Sequence, residues 1–423
     1  KNYKIIKINF IIINKIYYTN YYTISIMLIW GNTMNNKEII DLDSKYIMQT
    51  YGRQPIALTH GNGANIWDAD GNEYLDFFAG IAVNVLGQSH PKVIEAIQKQ
   101  AEKLIHVSNV YYTEEQVKLA KKLAEITIFD RIFFANSGAE ANEGAIKLAR
   151  KFTGKGEIIA TNNSFHGRTL VTVTATGQDK YKEPFKPLPS GFIHVPFGDS
   201  KAIANAITDD TAAVLIEAIQ GEGGIVVPPK MYLKEVEAIC REKGVLFILD
   251  EVQTGFGRTG EMFAYELFGI KPDIMTIAKA LGNGYPIGGL LARGEVVEGF
   301  DYGDHGSTFG GNPLGCAVAL TVIETIKDEN LLENSKNLGN YLKNEFINLN
   351  EKYDFITDVR GFGLFLAIEL DRDSSEITNK MRERGFLINS TAGNVLRFAP
   401  PLIITKEEID KMILALDQVF SEI

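Results

Sequence analysis

Short apolar runs alternate with longer amphipathic stretches along the chain from Arg131 onward. The short runs are rich in β-branched and aromatic residues, which favours strands, whereas the longer stretches space their apolar residues as helices do. Strands that alternate with helices predict βαβ units and an α/β fold with a mostly parallel sheet. The predicted strands are RIFFA (131 to 135), EIIAT (157 to 161), AAVLIEA (212 to 218), VLFILDE (245 to 251) and DIMTIA (273 to 278).

Two stretches between these strands have the clearest helical spacing. They are EANEGAIKLARKF (140 to 152) and YLKEVEAICREKG (232 to 244), the second of which ends on a glycine as a helix C-cap does. After Asn312 the pattern changes, which predicts a smaller α+β domain flanking the sheet domain and its helices. Its predicted elements are a long helix-like segment (316 to 349) and strands in DVRGFGLFLAIEL (358 to 370) and VLRFAPPL (395 to 402).

The length of 423 residues exceeds what one hydrophobic core usually serves, so we expect a large domain with a smaller companion. The large domain is predicted over residues 81 to 312 and the C-terminal small domain over 313 to 423. An N-terminal segment, 34 to 80, is predicted to join the small domain.

Residues 1 to 33 differ in composition from the rest of the chain, because they contain no Arg, Asp or Glu. Lys15 interrupts the apolar run that a signal peptide would need, and a mitochondrial presequence would contain Arg. We interpret this stretch as a translated leader ahead of a start at Met34 or Met27, and as no part of the fold.

The formal net charge of -10 excludes a general affinity for phosphate backbones, so no nucleic-acid partner is expected, and no membrane partner either. Cys240 and Cys316 are too few for a disulfide framework, which suits a reducing, cytoplasmic location. The 6 His residues show no metal-ligand spacing, so no metal is predicted.

Two candidate chemical groups stand at the ends of predicted strands. Asp250 closes VLFILDE and Lys279 follows DIMTIA, with enough chain between them for a loop and a crossover helix. The two side chains can therefore emerge at the carboxyl edge of neighbouring parallel strands, where open α/β sheets bind ligands. Either residue alone is more often a surface charge or a cap.

ANSGAEANEGAIKLAR (135 to 150) follows a strand and opens a helix. The backbone amides of Gly138 and Ala139 would point outward at the positive helix end, which is a ready anion site. Ser137 and Glu140 have the spacing of a capping box, which alone would explain the motif. Both interpretations can hold together, because capping leaves other amides free.

Together the motifs NSGAEANE, FHGRT, IEAIQGEGG, LDEVQTGFGRTG, AKALGNGYPIGG and HGSTFGGNPLGCAVA resemble, in order, those of the class III, or ω-, aminotransferases. The resemblance extends from about residue 45 to the end of the chain. It implies PLP fold type I and an enzyme that uses pyridoxal 5'-phosphate (PLP) to move amino groups.

The family's cofactor roles make physical sense on these residues. Lys279 would bind the cofactor covalently and then carry the proton between substrate and cofactor carbons. Asp250 would keep the pyridine nitrogen protonated, so that the ring accepts electrons. Gln253 would reach the ring hydroxyl, and Val252 and Phe165 would cover the two ring faces.

The resemblance also implies a site shared between two subunits. The cofactor phosphate would lie at the Ser137, Gly138 and Ala139 turn of one subunit and on Thr308 of its neighbour. A homodimer is therefore the expected minimum active unit. Ser307, from the same loop as Thr308, is expected beside the substrate.

Three residues are assigned to the substrate. Arg168 would hold a substrate carboxylate, because a guanidinium matches a carboxylate with two parallel bonds. By resemblance, Arg397 would meet glutamate's α-carboxylate, and Glu222 would neutralise Arg397 when the other donor binds. The alternative for these two is a structural ion pair. His166 is assigned to the cofactor site, with a purely structural role as the alternative.

The loop motifs favour N-acetyl-L-ornithine as donor and 2-oxoglutarate as acceptor, a reaction of arginine biosynthesis. The alternatives are 4-aminobutyrate, ornithine or succinyl-diaminopimelate as donor. Ile81 stands where ornithine enzymes of the family carry Tyr, and an apolar residue there suits an acylated or absent α-amine, so it does not exclude 4-aminobutyrate. An aminomutase is disfavoured because Gln253, Arg397 and Glu222 are present, and a protein that only binds is disfavoured by Lys279.

Overall fold

The computed structural model describes residues 34 to 423, so the leader predicted for residues 1 to 33 lies outside the described residues. The described chain forms two compact units, one of residues 34 to 60 with 67 to 73 and one of 61 to 66 with 74 to 423. The predicted domain boundaries stay a prediction. None of the described helices is long and apolar enough to cross a membrane.

In the smaller unit the first helix is α1 (Asn36–Tyr46), which begins with a capping box. The Asn35 side chain accepts from the Glu38 N–H, and the Glu38 carboxylate accepts from the Asn35 N–H at 3.0 Å. Such reciprocal bonds satisfy amides that a helix start otherwise leaves unpaired. The short strands β1 (Leu58–Asn62), β2 (Asn65–Asp68) and β3 (Glu73–Asp76) come next in the chain.

The larger unit is built on a 7-stranded sheet with the order β4-β10-β9-β8-β7-β5-β6. Neighbouring strands are parallel except β10, which is antiparallel to both its neighbours. The prediction of a mostly parallel sheet is therefore confirmed. The strands are β4 (Arg131–Ala135), β5 (Glu157–Thr161), β6 (Phe192–Val195), β7 (Thr211–Glu217), β8 (Leu246–Asp250), β9 (Ile274–Ile277) and β10 (Gly288–Ala292).

Helices cover this sheet, and every residue of β7 is buried, which explains its continuous apolar sequence. The helix that follows β4 packs against β9 and β10. The helices before residue 300 are α2 (Pro91–Lys103), α3 (Glu114–Ile126), α4 (Gly138–Thr153), α5 (Leu170–Ala175), α6 (Asp179–Lys182), α7 (Ser200–Ala206), α8 (Tyr232–Lys243) and α9 (Ala264–Phe268), with 3-10 turns at Glu183–Phe185, Lys279–Gly282 and Gly294–Glu298.

The C-terminal region corrects one prediction, because the long helix-like segment is two helices, α10 (Pro313–Asp328) and α11 (Leu331–Lys352). Asn330 separates them with φ 52°, a left-handed backbone that no continuous α-helix contains. An antiparallel sheet follows, with the order β11-β12-β15-β14. The remaining elements are β11 (Ile356–Phe362), β12 (Phe365–Leu370), α12 (Ser375–Glu383), β13 (Phe386–Leu387), β14 (Asn389–Thr391), β15 (Val395–Phe398) and α13 (Lys406–Ser421).

A turn of unusual handedness, Ala79–Ala82, follows β3. All its residues have positive φ, including 47° at Ala79 and 67° at Ile81. Left-handed backbone costs about 1–2 kcal/mol for each residue with a side chain. The Asp76 carboxylate supports the turn by accepting from the N–H groups of Phe78 and Ala79, at 2.9 and 2.8 Å. Ile81 is exposed at its centre.

Candidate active site

A cavity of about 400 Å³ opens where β7, β8 and β9 end and α4 begins. This is the edge of the sheet at which the sequence places Asp250 and Lys279. The strands that carry them are neighbours, since Asp250 pairs with Thr276 across β8 and β9. The predicted site residues that line the cavity are Ser137, Gly138, Ala139, Phe165, His166, Arg168, Glu222, Asp250, Val252, Gln253 and Lys279.

Asp250 is buried and held by three hydrogen bonds at the end of β8. Its Oδ2 accepts from Asn142 Nδ2 at 2.7 Å and lies 2.8 Å from His166 Nδ1. Its Oδ1 accepts from the Val252 N–H at 3.0 Å. The carboxylate is thus fixed in one orientation toward the cavity. His166 contacts Asp250 directly, and its assignment to the cofactor site stays a prediction, with a structural role as the alternative.

Asn142 was missed from the sequence. It lies on the buried face of α4, where its Nδ2 also donates to the His166 carbonyl at 2.9 Å and its Oδ1 accepts from Thr276 Oγ1 at 2.8 Å. The available signal was an amide residue at an otherwise small, apolar helix face.

Glu217 is a second buried carboxylate that sequence reasoning passed over, although it stands in the IEAIQGEGG motif at the end of β7. Its two oxygens accept from the N–H groups of Phe165 and Gly221, at 2.8 and 3.0 Å. Burial, with the nearby charge of Asp250 adding to it, raises the pKa of Glu217 to about 7. Glu217 therefore fixes the backbone that presents Phe165 to the cavity.

Lys279 lies two residues past the end of β9 and has φ 44°, so the backbone turns sharply just after the strand ends. Burial lowers the pKa of Lys279 to about 8, with the charge of Arg397 acting in the same direction and that of Glu222 opposing it. A lysine near this value carries a substantial neutral fraction at physiological pH, and neutral amines are the nucleophiles.

The start of α4 forms the far wall of the cavity. Ser137 caps the helix by accepting from the Glu140 N–H at 3.2 Å, but the Glu140 carboxylate bonds to the Asn136 N–H at 2.8 Å and not to Ser137. Half of the predicted capping box is therefore present. A Cβ at Gly138 would lie 2.7 Å from Val252 Cγ1, so only glycine fits there. The first amides of α4 remain available to an anion.

Arg168 lies at the mouth of the cavity, exposed and stacked on aromatic rings. Its guanidinium carbon is 4.0 Å from the Tyr181 ring centroid and 5.4 Å from that of Phe165. The ring faces leave the edges of the guanidinium, which carry its N–H donors, open to a ligand. This arrangement fits a carboxylate anchor.

Glu222 and Arg397 form an ion pair, with Glu222 Oε1 2.6 Å from Arg397 Nη1. Gln253 Nε2 donates to the same Glu222 oxygen at 3.2 Å, and Asn389 Oδ1 accepts twice from Arg397, at 3.1 and 2.6 Å. Burial alone would raise the pKa of Glu222, but the charges of Arg397 and Lys279 lower it to about 2. The two residues are thus an ion pair of opposite charges, and Glu222 is the member that lines the cavity.

Ser307 and Thr308 do not line the cavity of this one described chain. Ser307 Oγ accepts from Asn136 Nδ2 at 3.1 Å and from the Gly310 N–H at 3.0 Å, which fixes the loop beside α4. Thr308 is exposed and is not among the residues that line the cavity. Its assignment to a neighbouring subunit's site stays a prediction.

The fold and this site agree with the family model "Aminotransferase class-III", which matches residues 46–420. The chain belongs to the class-III aminotransferases. It is 59% identical over 390 residues to the acetylornithine aminotransferase of Methanothermobacter thermautotrophicus, which covers 92% of this chain and 100% of that one. The acetylornithine aminotransferase of Methanocaldococcus jannaschii is 55% identical over 400 residues, with coverage of 92% and 100%.

Solved structures show the same fold. The ornithine aminotransferase of Toxoplasma gondii has a TM-score of 0.89 at 36% identity, covering 92% of this chain and 96% of that one. The acetylornithine aminotransferase of Elizabethkingia anophelis has a TM-score of 0.83 at 36% identity, with coverage of 92% and 100%. A second Toxoplasma structure, with a TM-score of 0.88, 36% identity and coverage of 91% and 94%, has PLP at partial occupancy in its active site.

The residues present fit PLP. The side-chain-free backbone at Gly138, beside the start of α4, suits close approach by a phosphate. The buried Asp250 carboxylate would suit a protonated ring nitrogen, and the lowered pKa of Lys279 would suit a reactive amine. Val252 and Phe165 line the same cavity and can cover the ring faces.

Proposed function

We propose that the protein transfers the distal amino group of N-acetyl-L-ornithine to 2-oxoglutarate, giving N-acetyl-L-glutamate 5-semialdehyde and L-glutamate in arginine biosynthesis. The observation that carries this proposal is the Glu222–Arg397 ion pair at the cavity, with Arg168 exposed at its mouth. The acetylornithine aminotransferases that this chain resembles at 55% and 59% identity support the donor.

PLP, when bound, supplies the electron sink that makes removal of a proton from the substrate carbon possible. Lys279, which lines the cavity, would hold the cofactor through its Nζ and would act as the base that moves this proton. Asp250 would keep a proton on the ring nitrogen, since its carboxylate is buried and fixed by Asn142 and His166. Phe165 and Val252 line the cavity and would exclude water from the ring faces.

The two substrates place opposite demands on one position. N-acetylornithine has a CH2–NH2 end at the reacting carbon, whereas glutamate has its α-carboxylate there. With Glu222 on Arg397, the pair offers no net charge to the amine end of the ω-donor. When glutamate binds, its carboxylate replaces Glu222 on the guanidinium, and Arg168 holds the carboxylate at the other end of either substrate.

The assembly that we propose is a homodimer in which Thr308 reaches the phosphate site of the partner. Large apolar side chains stand exposed beside this loop, including Tyr112, Val110 and Phe309 at 99%, 79% and 59% exposure. Asn109 ties the two segments together by donating to the carbonyls of Ser307 and Gly310. An exposed apolar surface of this kind fits burial by a second subunit.

The location that we propose is the cytoplasm. Cys240 and Cys316 are buried and unpaired, as a reducing compartment permits.

The test is a panel of amino donors with 2-oxoglutarate: N-acetylornithine, ornithine, 4-aminobutyrate and succinyl-diaminopimelate. We expect the highest kcat/KM for N-acetylornithine and no turnover above about 10⁻² of wild type in the Lys279→Ala control. A higher kcat/KM for free ornithine or 4-aminobutyrate would contradict the proposed donor. A fully active Lys279→Ala variant would contradict the proposed chemistry.

A further inference from the structure

Tyr181 contacts two residues of the proposed site but has no role assigned so far. It belongs to the short helix α6 and is half-buried. The Arg168 guanidinium lies over its ring at 4.0 Å, and its ring meets that of Phe165 edge-on at a centroid distance of 5.8 Å. Tyr181 therefore joins the candidate carboxylate anchor to the candidate ring-face residue.

The segment that carries Tyr181 is attached to the chain just before Phe165. Gln178 Nε2 donates to the carbonyls of Asn163 and Ser164, both at 3.3 Å. The Gly177 N–H donates to Ser164 Oγ at 3.0 Å. These bonds hold the backbone that leads into α6 without any contribution from Arg168. The helix that carries the Tyr181 ring therefore starts from a fixed point, and the ring can act as a platform for the guanidinium.

An aromatic ring is a better support for an anion-binding arginine than a carboxylate of the protein, because a carboxylate would neutralise the arginine's charge. Within the described part of the chain, Arg168 forms no ion pair, so its charge is not neutralised before a ligand arrives. The ring occupies a face of the guanidinium and leaves its N–H edges for bidentate binding. A long, exposed side chain held in one orientation also loses less entropy when a ligand binds.

We propose that Tyr181 is a positioning residue that holds Arg168 in the orientation that receives the carboxylate of the ω-amino donor. The proposal rests on the proposed function, because it takes Arg168 as the donor's carboxylate anchor. Lys180 Nζ lies 4.9 Å from the centroid of the same ring, so a second positive charge stands close to Tyr181.

The test uses the holoenzyme and N-acetyl-L-norvaline, which keeps the acyl group and carboxylate of the donor but lacks the reacting amine. Tyr181→Leu is expected to raise its Kd about threefold to tenfold, measured by calorimetry, because the platform is lost. Tyr181→Phe keeps the ring and should stay within about twofold of wild type. The limiting rate with saturating N-acetylornithine should not change in either variant.

A double-mutant cycle separates positioning of Arg168 from a general structural role. In an Arg168→Gln background, Tyr181→Leu should not raise the Kd further, since there is no guanidinium to orient. An equal rise of Kd in both backgrounds, or a slower limiting rate with unchanged Kd, would overturn the proposal. A large fall in Tm for Tyr181→Leu together with weaker cofactor binding would also count against it, as Phe165 packing would then be the role of Tyr181.

The panel of amino donors shows whether the proposed donor is wrong, and the double-mutant cycle shows whether the role of Tyr181 is wrong. If the wild-type enzyme prefers another donor, the proposed function fails, and the cycle is run with an amine-free analogue of that donor. A Tyr181 effect confined to backgrounds with Arg168 would still support the positioning role, whereas its absence would overturn that role alone.

Discussion

The back and the mouth of the cavity are built in contrasting ways. At the back, the Asp250 carboxylate is 4% exposed and held by Asn142, His166 and the Val252 N–H. At the mouth, Arg168 is exposed and held by ring faces. Glu222 and Arg397 lie between these extremes, with Arg397 3% exposed but paired to a carboxylate that borders the cavity.

The contrast is between the charge of Asp250, which keeps the same partners, and the charges of Glu222 and Arg397, which can change partners. A buried carboxylate with several hydrogen bonds cannot reorient without leaving groups unsatisfied, which suits a constant partner for a cofactor. At the cavity edge, a ligand carboxylate has the same charge as Glu222 and can replace it as the partner of Arg397. Substitutions at the back should therefore affect both substrates alike, whereas those at the Glu222–Arg397 pair should distinguish them.

The largest effect is expected at the back. Asp250→Asn should lower the rates of both half-reactions by about 10²-fold or more, because the fixed negative charge at the ring nitrogen is lost. The measurement is single-turnover kinetics with N-acetylornithine and with glutamate, after thermal unfolding has shown that the variant folds. A loss of rate with only one of the two substrates would contradict the view that Asp250 serves both half-reactions alike.

An intermediate and selective effect is expected at the ion pair. A charge-assisted bond to a carboxylate contributes about 1.5–3 kcal/mol, so Arg397→Ala should weaken the glutamate half-reaction by roughly one to two orders of magnitude. The N-acetylornithine half-reaction should suffer much less. Glu222→Ala is the matched variant, and it should favour glutamate and penalise the ω-donor.

Single-turnover kinetics of each half-reaction decide between a switch and a structural pair. Equal losses on both substrates, in both variants, would show that Glu222 and Arg397 only hold the structure together. The Tm of the two variants serves as the control, because unpairing a buried Arg397 is expected to destabilise the protein.

The smallest effect concerns pH. With its pKa lowered to about 8, the Lys279 amine of the cofactor-free protein becomes neutral as pH rises through this value. The rate of cofactor capture should therefore increase with pH and level off above about pH 8, about two and a half units below the pKa of an ordinary lysine. The measurement is the rate of the cofactor's absorbance change. Glu222→Gln should move the midpoint lower, since it removes a negative charge that favours the ammonium form.

The sequence predicts the back of the cavity better than the rest. The apolar runs that end on Asp250 and precede Lys279 mark adjacent parallel strands, and β8 and β9 confirm this. The strand β10, with the sequence GGLLA, was missed because glycine weakens the strand pattern. Asn142 and Glu217 were missed because their partners, Asp250 and Phe165, are distant in the chain and only the fold brings them together.

The position of β10 has a consequence for how the chain is made. In the sheet, β4 is hydrogen-bonded to β10 as its neighbour, although the other strands of the sheet lie between them in sequence. During synthesis β4 therefore has no neighbouring strand until the ribosome has passed residue 292, the end of β10. The start of α4, which follows β4, is unsupported for the same time. An unpaired apolar strand in a growing chain is a site for aggregation and for chaperone binding. A nascent chain cut short before β10 would carry most of the catalytic residues, yet would leave one wall of their site unsupported.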